Sequence, residues 1–207
     1  MADWRLSLIR RRRLLKLFLF AASTVAVTVG RFQPTPVNAA QNRQKRTTMT
    51  AYDFEFPGIE GGKLPLGAWK GKPILVVNTA SFCGFTPQYT ELEKLWNQYK
   101  AKGVVVLGVP SNDFGQQEPG SAKEIKAFCE SYDVSFPLTD KQKVVGPEAH
   151  PFYRWIAAEL GDAGVPRWNF HKYLIDAQGE IAGAWPSRVT PLSKEVTGAI
   201  EEAMKQV

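Results

Sequence analysis

The chain has 207 residues, 22% of them charged, and a formal net charge of +6. All of this excess lies in the first 40 residues, which hold seven lysines and arginines against one acidic residue, whereas residues 41–207 carry 19 charges of each sign. The neutral remainder gives no electrostatic support for nucleic acid as a partner. The length is sufficient for one domain with its own core.

Residues 1–39 have the pattern of a cleaved signal peptide. A basic block is followed by an uncharged, mostly apolar run over 17–30, and Val37-Asn38-Ala39 resembles a small-residue cleavage site. The basic block fits the twin-arginine export pattern. We therefore expect a linker over 40–50, a domain over 51–207, and export to the periplasm with no stable membrane insertion after cleavage.

Two alternatives to a cleaved signal remain open. Met49 directly precedes the expected domain, so translation from this residue would leave a cytoplasmic protein. The apolar run could also stay uncleaved as an anchor, although it is short for a membrane span.

The first elements of the domain form a strand–helix–strand unit. "KPILVVNTAS" (72–81) and "VVVLGVPS" (104–111) are nearly continuous apolar runs, typical of strands buried on both faces. Between them, Thr86 and Pro87 are expected at the N-cap and first position of a helix that ends near Gly103. The unit predicts a parallel strand pair joined by a right-handed crossover.

The later elements complete a mixed sheet. Ser121 to Glu124 has the form of a capping box, "FPLTDK" predicts a short edge segment, and "FHKYLIDAQGEIAGAW" predicts a β-hairpin turning near Gly179. Further helices are expected from Pro151 and from about Leu192. The order predicts an α/β protein with a thioredoxin-like fold, in which helices cover both faces of a mixed central sheet.

Cys83 falls at the carboxyl end of a central strand, where open α/β sheets place their active sites. Backbone N–H groups at a nearby helix N-terminus would stabilise its thiolate. A small buried residue at a strand end is the structural alternative. Thr86 stands where a Cys-x-x-Cys motif needs its second cysteine, so dithiol exchange within such a motif is excluded.

Four segments together resemble the glutathione peroxidase family: "NTASFCGFTPQY", "VLGVPSNDFGQQEPGS", "FPLTDKQKVVGPEAHPFY" and "RWNFHKYLID". The similarity runs from about Tyr52 to the C-terminus. It implies a thioredoxin-like fold, reduction of hydrogen peroxide and of organic or lipid hydroperoxides, and no cofactor or metal. By the same resemblance, Cys83 is the peroxidatic cysteine, and Gln117, Trp168 and Asn169 are its catalytic partners.

The chemistry explains those residue types. A thiolate that attacks a peroxide becomes a sulfenic acid, and the departing oxygen needs a hydrogen-bond donor. Amide side chains and an indole N–H donate without carrying a charge of their own. The two histidines, His150 and His171, offer little material for a Cys–His pair, and we interpret His171 as a strand residue.

Cys129 has two interpretations. Its spacing from Ile125, Phe128 and Tyr132 matches the buried face of a helix and predicts a packed thiol. The resemblance instead implies a resolving cysteine, which forms an intramolecular disulfide with the oxidised Cys83 and is recycled by a thioredoxin-like protein rather than glutathione. Both can hold if the helix unwinds after oxidation.

Some residues depart from the family pattern. Ser111 replaces a cysteine, Asp113 replaces a glutamine and so adds a carboxylate near the site, and Ala184 stands where many members have arginine. The loss of basic residues makes a dedicated glutathione site less favoured. An insertion associated with tetrameric members is absent before "WNF", so we expect a monomer.

Two other functions use the same cysteine chemistry. A thiol–disulfide oxidoreductase would act on disulfide substrates, and a peroxide sensor would be oxidised once and signal to a partner. Turnover of peroxide with a recycling reductant separates both from a peroxidase.

Overall fold

The computed structural model describes residues 49–206. A four-stranded sheet has the order β4-β3-β5-β6, and a separate two-stranded sheet pairs β1 with β2. The strands are β1 (Glu55–Pro57), β2 (Lys63–Pro65), β3 (Ile74–Thr79), β4 (Val105–Pro110), β5 (Lys172–Ile175) and β6 (Ile181–Trp185), and the α-helices are α1 (Gln88–Tyr99), α2 (Ala122–Glu130), α3 (Pro151–Leu160) and α4 (Lys194–Met204). Short 3-10 helices span Ala51–Asp53, Leu66–Trp69, Lys100–Lys102 and Gly161–Gly164.

The predicted strand–helix–strand unit is present. All six residues of β3 and all six of β4 are buried, and the two strands pair in parallel from Ile74 opposite Val105 to Thr79 opposite Pro110. Helix α1 provides the crossover between them. Because both strands are buried, their backbone N–H and C=O groups cannot bond to water. The continuous ladder between the strands supplies hydrogen bonds to these groups instead.

The predicted hairpin makes the sheet mixed. Strands β5 and β6 are antiparallel, and β5 also pairs antiparallel with β3. Gly179 lies in the turn with φ +85°, a backbone conformation that favours glycine. A Cβ there would also come within 2.7 Å of the Tyr52 ring, so both the backbone and the packing disfavour a side chain.

Two apolar cores lie on opposite faces of the sheet because successive strand residues point to opposite sides. Val77 and Leu174 pack in one core with residues of α1, α2 and α4, whereas Val76 and Tyr173 pack in the other with residues of α3. The expectation of helices on both faces is confirmed. Each fully buried aliphatic side chain contributes about 1.5–3 kcal/mol.

Two helix starts differ from their predictions. Helix α1 begins at Gln88 with Pro87 in the cap position, so Thr86 is not its N-cap. Helix α4 begins at Lys194 rather than near Leu192, because the Ser193 side chain accepts a hydrogen bond from the N–H of Val196. The capping box of α2 is as predicted, with Ser121 and Glu124 reciprocally bonded.

The segment "FPLTDK" contributes isolated bridges rather than a strand: Leu138 pairs with Gly108 and Thr139 with Gly58. The predicted signal peptide (1–39) and nearly all of the linker (40–50) lie outside the described residues. Within residues 49–206, no helix has the length and apolar character needed to cross a membrane.

Candidate active site

Cys83 lies in a tight turn between β3 and α1, at the carboxyl end of a central strand. Its residue is 8% exposed, whereas the adjacent Phe82 is 66% exposed. A Cβ added at Gly84 would contact nothing within 4 Å, so this flank of the turn is open. The thiol is therefore shielded but close to the surface.

Thr86 holds the turn rather than the helix. Its hydroxyl accepts a hydrogen bond from the N–H of Cys83 (3.0 Å) and donates to the carbonyl of Ala80 (3.0 Å). The Cys83 sulfur in turn accepts from the N–H of Phe85 at 3.4 Å. An N–H aimed at sulfur stabilises negative charge there, so the turn itself supplies the donor that we expected from the helix terminus.

Gln117 and Asn169 are joined to each other and to the Cys83 turn. The Nδ2 group of Asn169 donates to Oε1 of Gln117 at 2.9 Å, and the carbonyl of Gln117 accepts from the N–H of Phe82 at 3.0 Å. Because Oε1 of Gln117 acts as the acceptor, its Nε2 group keeps two N–H donors, and these make no hydrogen bond within the described residues.

Trp168 lies on the same loop as Asn169, is 40% exposed, and packs its ring 5.9 Å from that of Phe114. Asn78, near the end of β3, holds this loop. Its side-chain Nδ2 group donates to the backbone carbonyl of Trp168 (3.1 Å), and its backbone carbonyl accepts from the N–H of Phe170 (2.6 Å). Two loops and one strand end thus converge near Cys83.

Asn78 was not identified from the sequence. The signal was present, since Asn78 is an amide residue in a strand whose first four residues are all aliphatic. A buried amide seeks hydrogen-bond partners, and its Nδ2 group finds one in the loop that carries Trp168 and Asn169, whereas its Oδ1 atom has none within the described residues.

Cys129 has the packed environment that its spacing predicts. It is 1% exposed in the last turn of α2, and both cysteines are free. Burial raises the pKa of its thiol to about 11, partly offset by the neighbouring Tyr89 hydroxyl. This thiol is protonated at neutral pH.

The histidines have structural positions. His150 caps α3 by accepting a hydrogen bond from the N–H of Phe152. His171 lies just before β5 rather than within it, and burial lowers the pKa of its ring to about 4. Neither ring is hydrogen-bonded to Cys83.

Asp113 has a structural partner as well. Its carboxylate accepts hydrogen bonds from the N–H groups of Val144 (2.6 Å) and Val145 (3.2 Å) and so braces the loop before α3. In the part of the chain that the structure describes, no three His, Cys, Asp or Glu side chains are grouped to hold a metal ion.

A groove of about 370 Å³ lies between the Cys83 turn and α2. The rings of Phe82 and Phe128 approach to 6.0 Å along it. Its lining residues are Ser81, Phe82, Glu118, Pro119, Gly120, Glu124, Ile125 and Phe128.

The structure thus places a thiol at the end of a central strand of a thioredoxin-like sheet, with the linked amide side chains of Gln117 and Asn169 on loops joined to its turn. The fold is shared with a thiol:disulfide interchange protein of the thioredoxin family from Chlorobium tepidum, at TM-score 0.55 and 18% identity, over 73% of this chain and 92% of that one. This likeness concerns the fold alone.

The family follows from closer matches. The family model for glutathione peroxidase matches residues 51–157. The chain is 43% identical to the hydroperoxy fatty acid reductase gpx1 of Synechocystis sp. over 75% of this chain and 96% of that one, and 42% identical to the glutathione peroxidase-like peroxiredoxin 2 of Saccharomyces cerevisiae over 70% and 93%. The crystal structure of Trgpx in apo form aligns at TM-score 0.63 and 37% identity, over 77% of this chain and 98% of that one.

The chain therefore belongs to the glutathione peroxidase family, and it is a peroxidase, an oxidoreductase that reduces peroxides.

Proposed function

We propose that Cys83 is the peroxidatic residue and that it reacts as a thiolate with hydrogen peroxide and organic hydroperoxides. The thiolate attacks one peroxide oxygen, the O–O bond breaks, and Cys83 becomes a sulfenic acid while the second oxygen leaves as water or an alcohol. The observation that carries this proposal is the N–H of Phe85 directed at the sulfur, in a turn bonded to Gln117.

Gln117, Trp168 and Asn169 stabilise the departing oxygen in this proposal. The free Nε2 donors of Gln117 and the indole N–H of Trp168 supply neutral hydrogen bonds, while Asn169 orients the Gln117 amide through Oε1. Such donors help most when they are held in place before the reaction, and the contacts of Asn78 with the Trp168 loop do this.

Fatty acyl hydroperoxides are among the proposed substrates. The Synechocystis relative is named a hydroperoxy fatty acid reductase. Here Phe82 and Trp168 present large apolar surfaces to solvent next to the Cys83 turn, where an acyl chain could lie.

Cys129 is proposed to resolve the sulfenic acid as an intramolecular disulfide with Cys83. A disulfide needs Cα atoms within about 7 Å, and a thiol packed on the inner face of α2 must move to reach this distance. Helix α2 has nine residues, a length that is marginal without tertiary packing, so unwinding it requires mainly that the buried contacts of Ile125 and Cys129 break.

A thioredoxin-like protein is the proposed reductant, with glutathione as the alternative. The yeast relative is named a peroxiredoxin, and Ala184 replaces a basic residue that would favour the glutathione carboxylates. We further propose that residues 1–39 direct export, which places the reductant in the same compartment as the mature protein.

The test is mass spectrometry of the purified protein after one equivalent of hydrogen peroxide. Formation of a bridge between Cys83 and Cys129 with loss of two hydrogens supports the proposal, and the same spectrum gives the mature N-terminus. A persistent sulfenic acid that no thioredoxin-like protein or glutathione recycles would favour a peroxide sensor instead.

A further inference from the structure

The central sheet contains a buried lysine that the proposed peroxide chemistry does not use. Lys172 is the first residue of β5, lies opposite Val77 of β3, and is 0% exposed. Its Nζ group donates to the backbone carbonyl of Phe170 at 2.7 Å. Among the ion pairs of residues 49–206, none includes this ammonium group. Its one assigned partner is therefore a backbone carbonyl two residues earlier.

A lysine in this position is costly to the fold. Burial lowers the pKa of Lys172 from 10.5 to about 7, and the charge of Glu91 on α1 partly offsets this. The unfolded chain therefore binds this proton more tightly than the folded chain, so the group lowers stability at neutral pH. A long apolar side chain such as methionine would fill similar space without burying a charge. The lysine thus calls for a functional explanation.

The carbonyl that Lys172 holds belongs to a residue with a strained backbone. Phe170 has φ 64°, in the left-handed region that bulky side chains rarely adopt. Its ring is fixed in the core, because it is 0% exposed and packs edge-on against the ring of Tyr89 at 5.4 Å. Such a backbone conformation persists only where surrounding contacts hold it, and it is concentrated at functional sites.

Two hydrogen bonds hold Phe170 in this conformation, one at each of its backbone polar groups. Its N–H donates to the backbone carbonyl of Asn78 at 2.6 Å, and its carbonyl accepts from Nζ of Lys172. Asn78 belongs to β3 and Lys172 to β5, and these two strands are neighbours in the sheet. The left-handed turn at Phe170 is therefore tied to two central strands.

This turn determines where two proposed site residues lie. Asn169 directly precedes Phe170, and its Nδ2 group donates to Oε1 of Gln117 at 2.9 Å. Trp168 comes one residue earlier, and its carbonyl accepts from the side chain of Asn78. A change of φ at Phe170 would rotate the preceding chain relative to β5. Asn169 and Trp168 would then move away from the sheet edge that carries the reactive thiol.

We propose that Lys172 is a positioning residue for the peroxide step. By holding the Phe170 carbonyl, its ammonium group keeps the left-handed turn closed and so keeps Trp168 and Asn169 in place. A charged donor suits this task because its hydrogen bonds are stronger than those of a neutral one. The inference rests on the roles proposed for Trp168 and Asn169, and Lys172 itself does not contact the peroxide.

The test compares two reactions of the same thiol. Lys172→Met removes the donor and keeps a long unbranched side chain. At pH 7 we expect this variant to slow the single-turnover reaction with hydrogen peroxide about tenfold, because displaced donors no longer meet the departing oxygen. Alkylation of Cys83 by iodoacetamide needs a thiolate but no donor to an oxygen. Its rate and its pH profile, followed by mass spectrometry, should therefore match those of the wild type.

The alkylation profile separates positioning from two other roles. If Lys172 acted as a charge on the Cys83 thiolate, Lys172→Met would shift the profile to higher pH. If it only supported the fold, the variant would have a lower melting temperature and would slow both reactions. Either result overturns the inference. We expect an equal or higher melting temperature, because the buried ammonium group is removed together with its single hydrogen bond.

Leu174→Met is the matched control. Leu174 lies two residues along β5, on the same face as Lys172, and is also 0% exposed, so this variant makes a comparable change in packing. It should leave both rates unchanged, and a loss equal to that of Lys172→Met would overturn the inference. Lys172→Arg keeps a charge and N–H donors and should recover part of the peroxide rate.

Hydrogen exchange keeps the inference testable even if Lys172→Met does not fold. In the wild-type protein, the N–H of Phe170 should exchange as slowly as the amides of β5, because it is held against Asn78. Rapid exchange would mean that the turn is not held and would overturn the inference. In folded Lys172→Met, the Phe170 amide should exchange faster while the amides of β5 remain protected.

Two further variants separate this inference from the proposed function. Trp168→Phe keeps an aromatic ring without the indole N–H, and Asn169→Ala removes the contact with Gln117. If neither variant slows the peroxide step, the roles proposed for these residues fail, and the inference fails with them. If both slow it but Lys172→Met does not, the inference alone is overturned.

Discussion

The two cysteines of this chain share an apolar core but occupy opposite environments. Around Cys83, hydrogen bonds position several groups: Thr86 closes the turn, the sulfur accepts an N–H, and Oε1 of Gln117 accepts from Asn169, although Oγ of Ser81 and Oδ1 of Asn169 are buried without partners within the described residues. Cys129 is instead packed at 1% exposure on the inner face of α2, where burial raises the pKa of its thiol to about 11.

The difference between the two environments matches the different reactions proposed for the two thiols. A site that reacts in the folded state benefits from groups already held in position, because no reorganisation is needed during the reaction. In the proposed function Cys129 reacts only after a local rearrangement, so its thiol can be packed as an apolar side chain beforehand.

The largest effect is expected when the sulfur of Cys83 is removed, which tests whether the environment of Cys83 determines reactivity. Cys83→Ser should reduce peroxide consumption by at least about 10³-fold, because a hydroxyl is a far weaker nucleophile at neutral pH. The measurement is peroxide loss with a thioredoxin-like reductant. If consumption persists, Cys129 or another group carries the reaction, and the environments described above do not determine reactivity.

Removal of Cys129 should have a different consequence. Cys129→Ser is expected to consume one equivalent of peroxide at the wild-type rate and then to turn over at least about tenfold more slowly with a small dithiol protein, since the sulfenic acid has no internal partner. Comparison of single-turnover and steady-state rates shows this. Full turnover in the variant would remove Cys129 from the mechanism.

The paired groups around Cys83 can be tested separately. Gln117→Ala should slow the peroxide step about tenfold to 10²-fold, because one donor to the departing oxygen is lost. The adjacent Gln116 is exposed and has φ 52°, a conformation that asparagine tolerates, so Gln116→Asn serves as the control and should leave the rate unchanged.

The next prediction concerns the free energy of unfolding and His171, a buried ring that lies just before β5. Both ring nitrogens lack partners, and its pKa is lowered to about 4 from 6.5. Between these values the unfolded chain binds the proton and the folded chain does not, so this group makes stability fall as the pH falls from 6.5 to about 4. His171→Phe should reduce that loss by on the order of 2–3 kcal/mol in denaturant titrations.

The control for His171 is His150→Asn, which keeps a side chain able to cap α3. Burial also lowers the pKa of His150, but this side chain has hydrogen-bond partners, so we expect a smaller change. An equal change in both variants would mean that pairing does not distinguish the two rings.

The smallest expected effect concerns the stability of the fold and Glu118, a carboxylate that is 1% exposed and whose oxygens have no hydrogen-bond partner within the described residues. Because burial raises its pKa, the folded state binds this proton more tightly, and stability falls as the pH rises above about 4.5. Glu118→Gln should therefore stabilise the protein at pH 7 by about 1 kcal/mol, or 2–4 °C in melting temperature, and the gain should disappear near pH 4. No gain relative to the exposed Glu130→Gln would mean that Glu118 is solvated or paired in solution.

Much of the fold could be predicted from local patterns. Continuous apolar runs predicted β3 and β4, the capping box predicted α2, and the turn at Gly179 predicted the hairpin, because each depends on residues close in sequence. The site residues came from motifs in several separate segments. Their roles remain predictions, whereas the structure shows that Gln117 and Asn169 are in contact.

The missed features depend on the path of the folded chain rather than on residue patterns. Thr86 matched the pattern of a helix cap, but its hydroxyl is bonded to Ala80 and Cys83, and only the path of the turn determines this. The partner of Asn78 and the burial of Glu118 cannot be derived from neighbouring residues, because both depend on segments that the fold brings together.

By itself, the sequence determined the family, the α/β class and the identity of a lone cysteine at a strand end. The tertiary structure alone decided which polar groups are paired and which are buried without partners. This division has a physical reason: backbone conformation and hydrophobic burial follow short-range patterns, whereas the electrostatic environment of a thiol is the sum of groups brought together from distant parts of the chain.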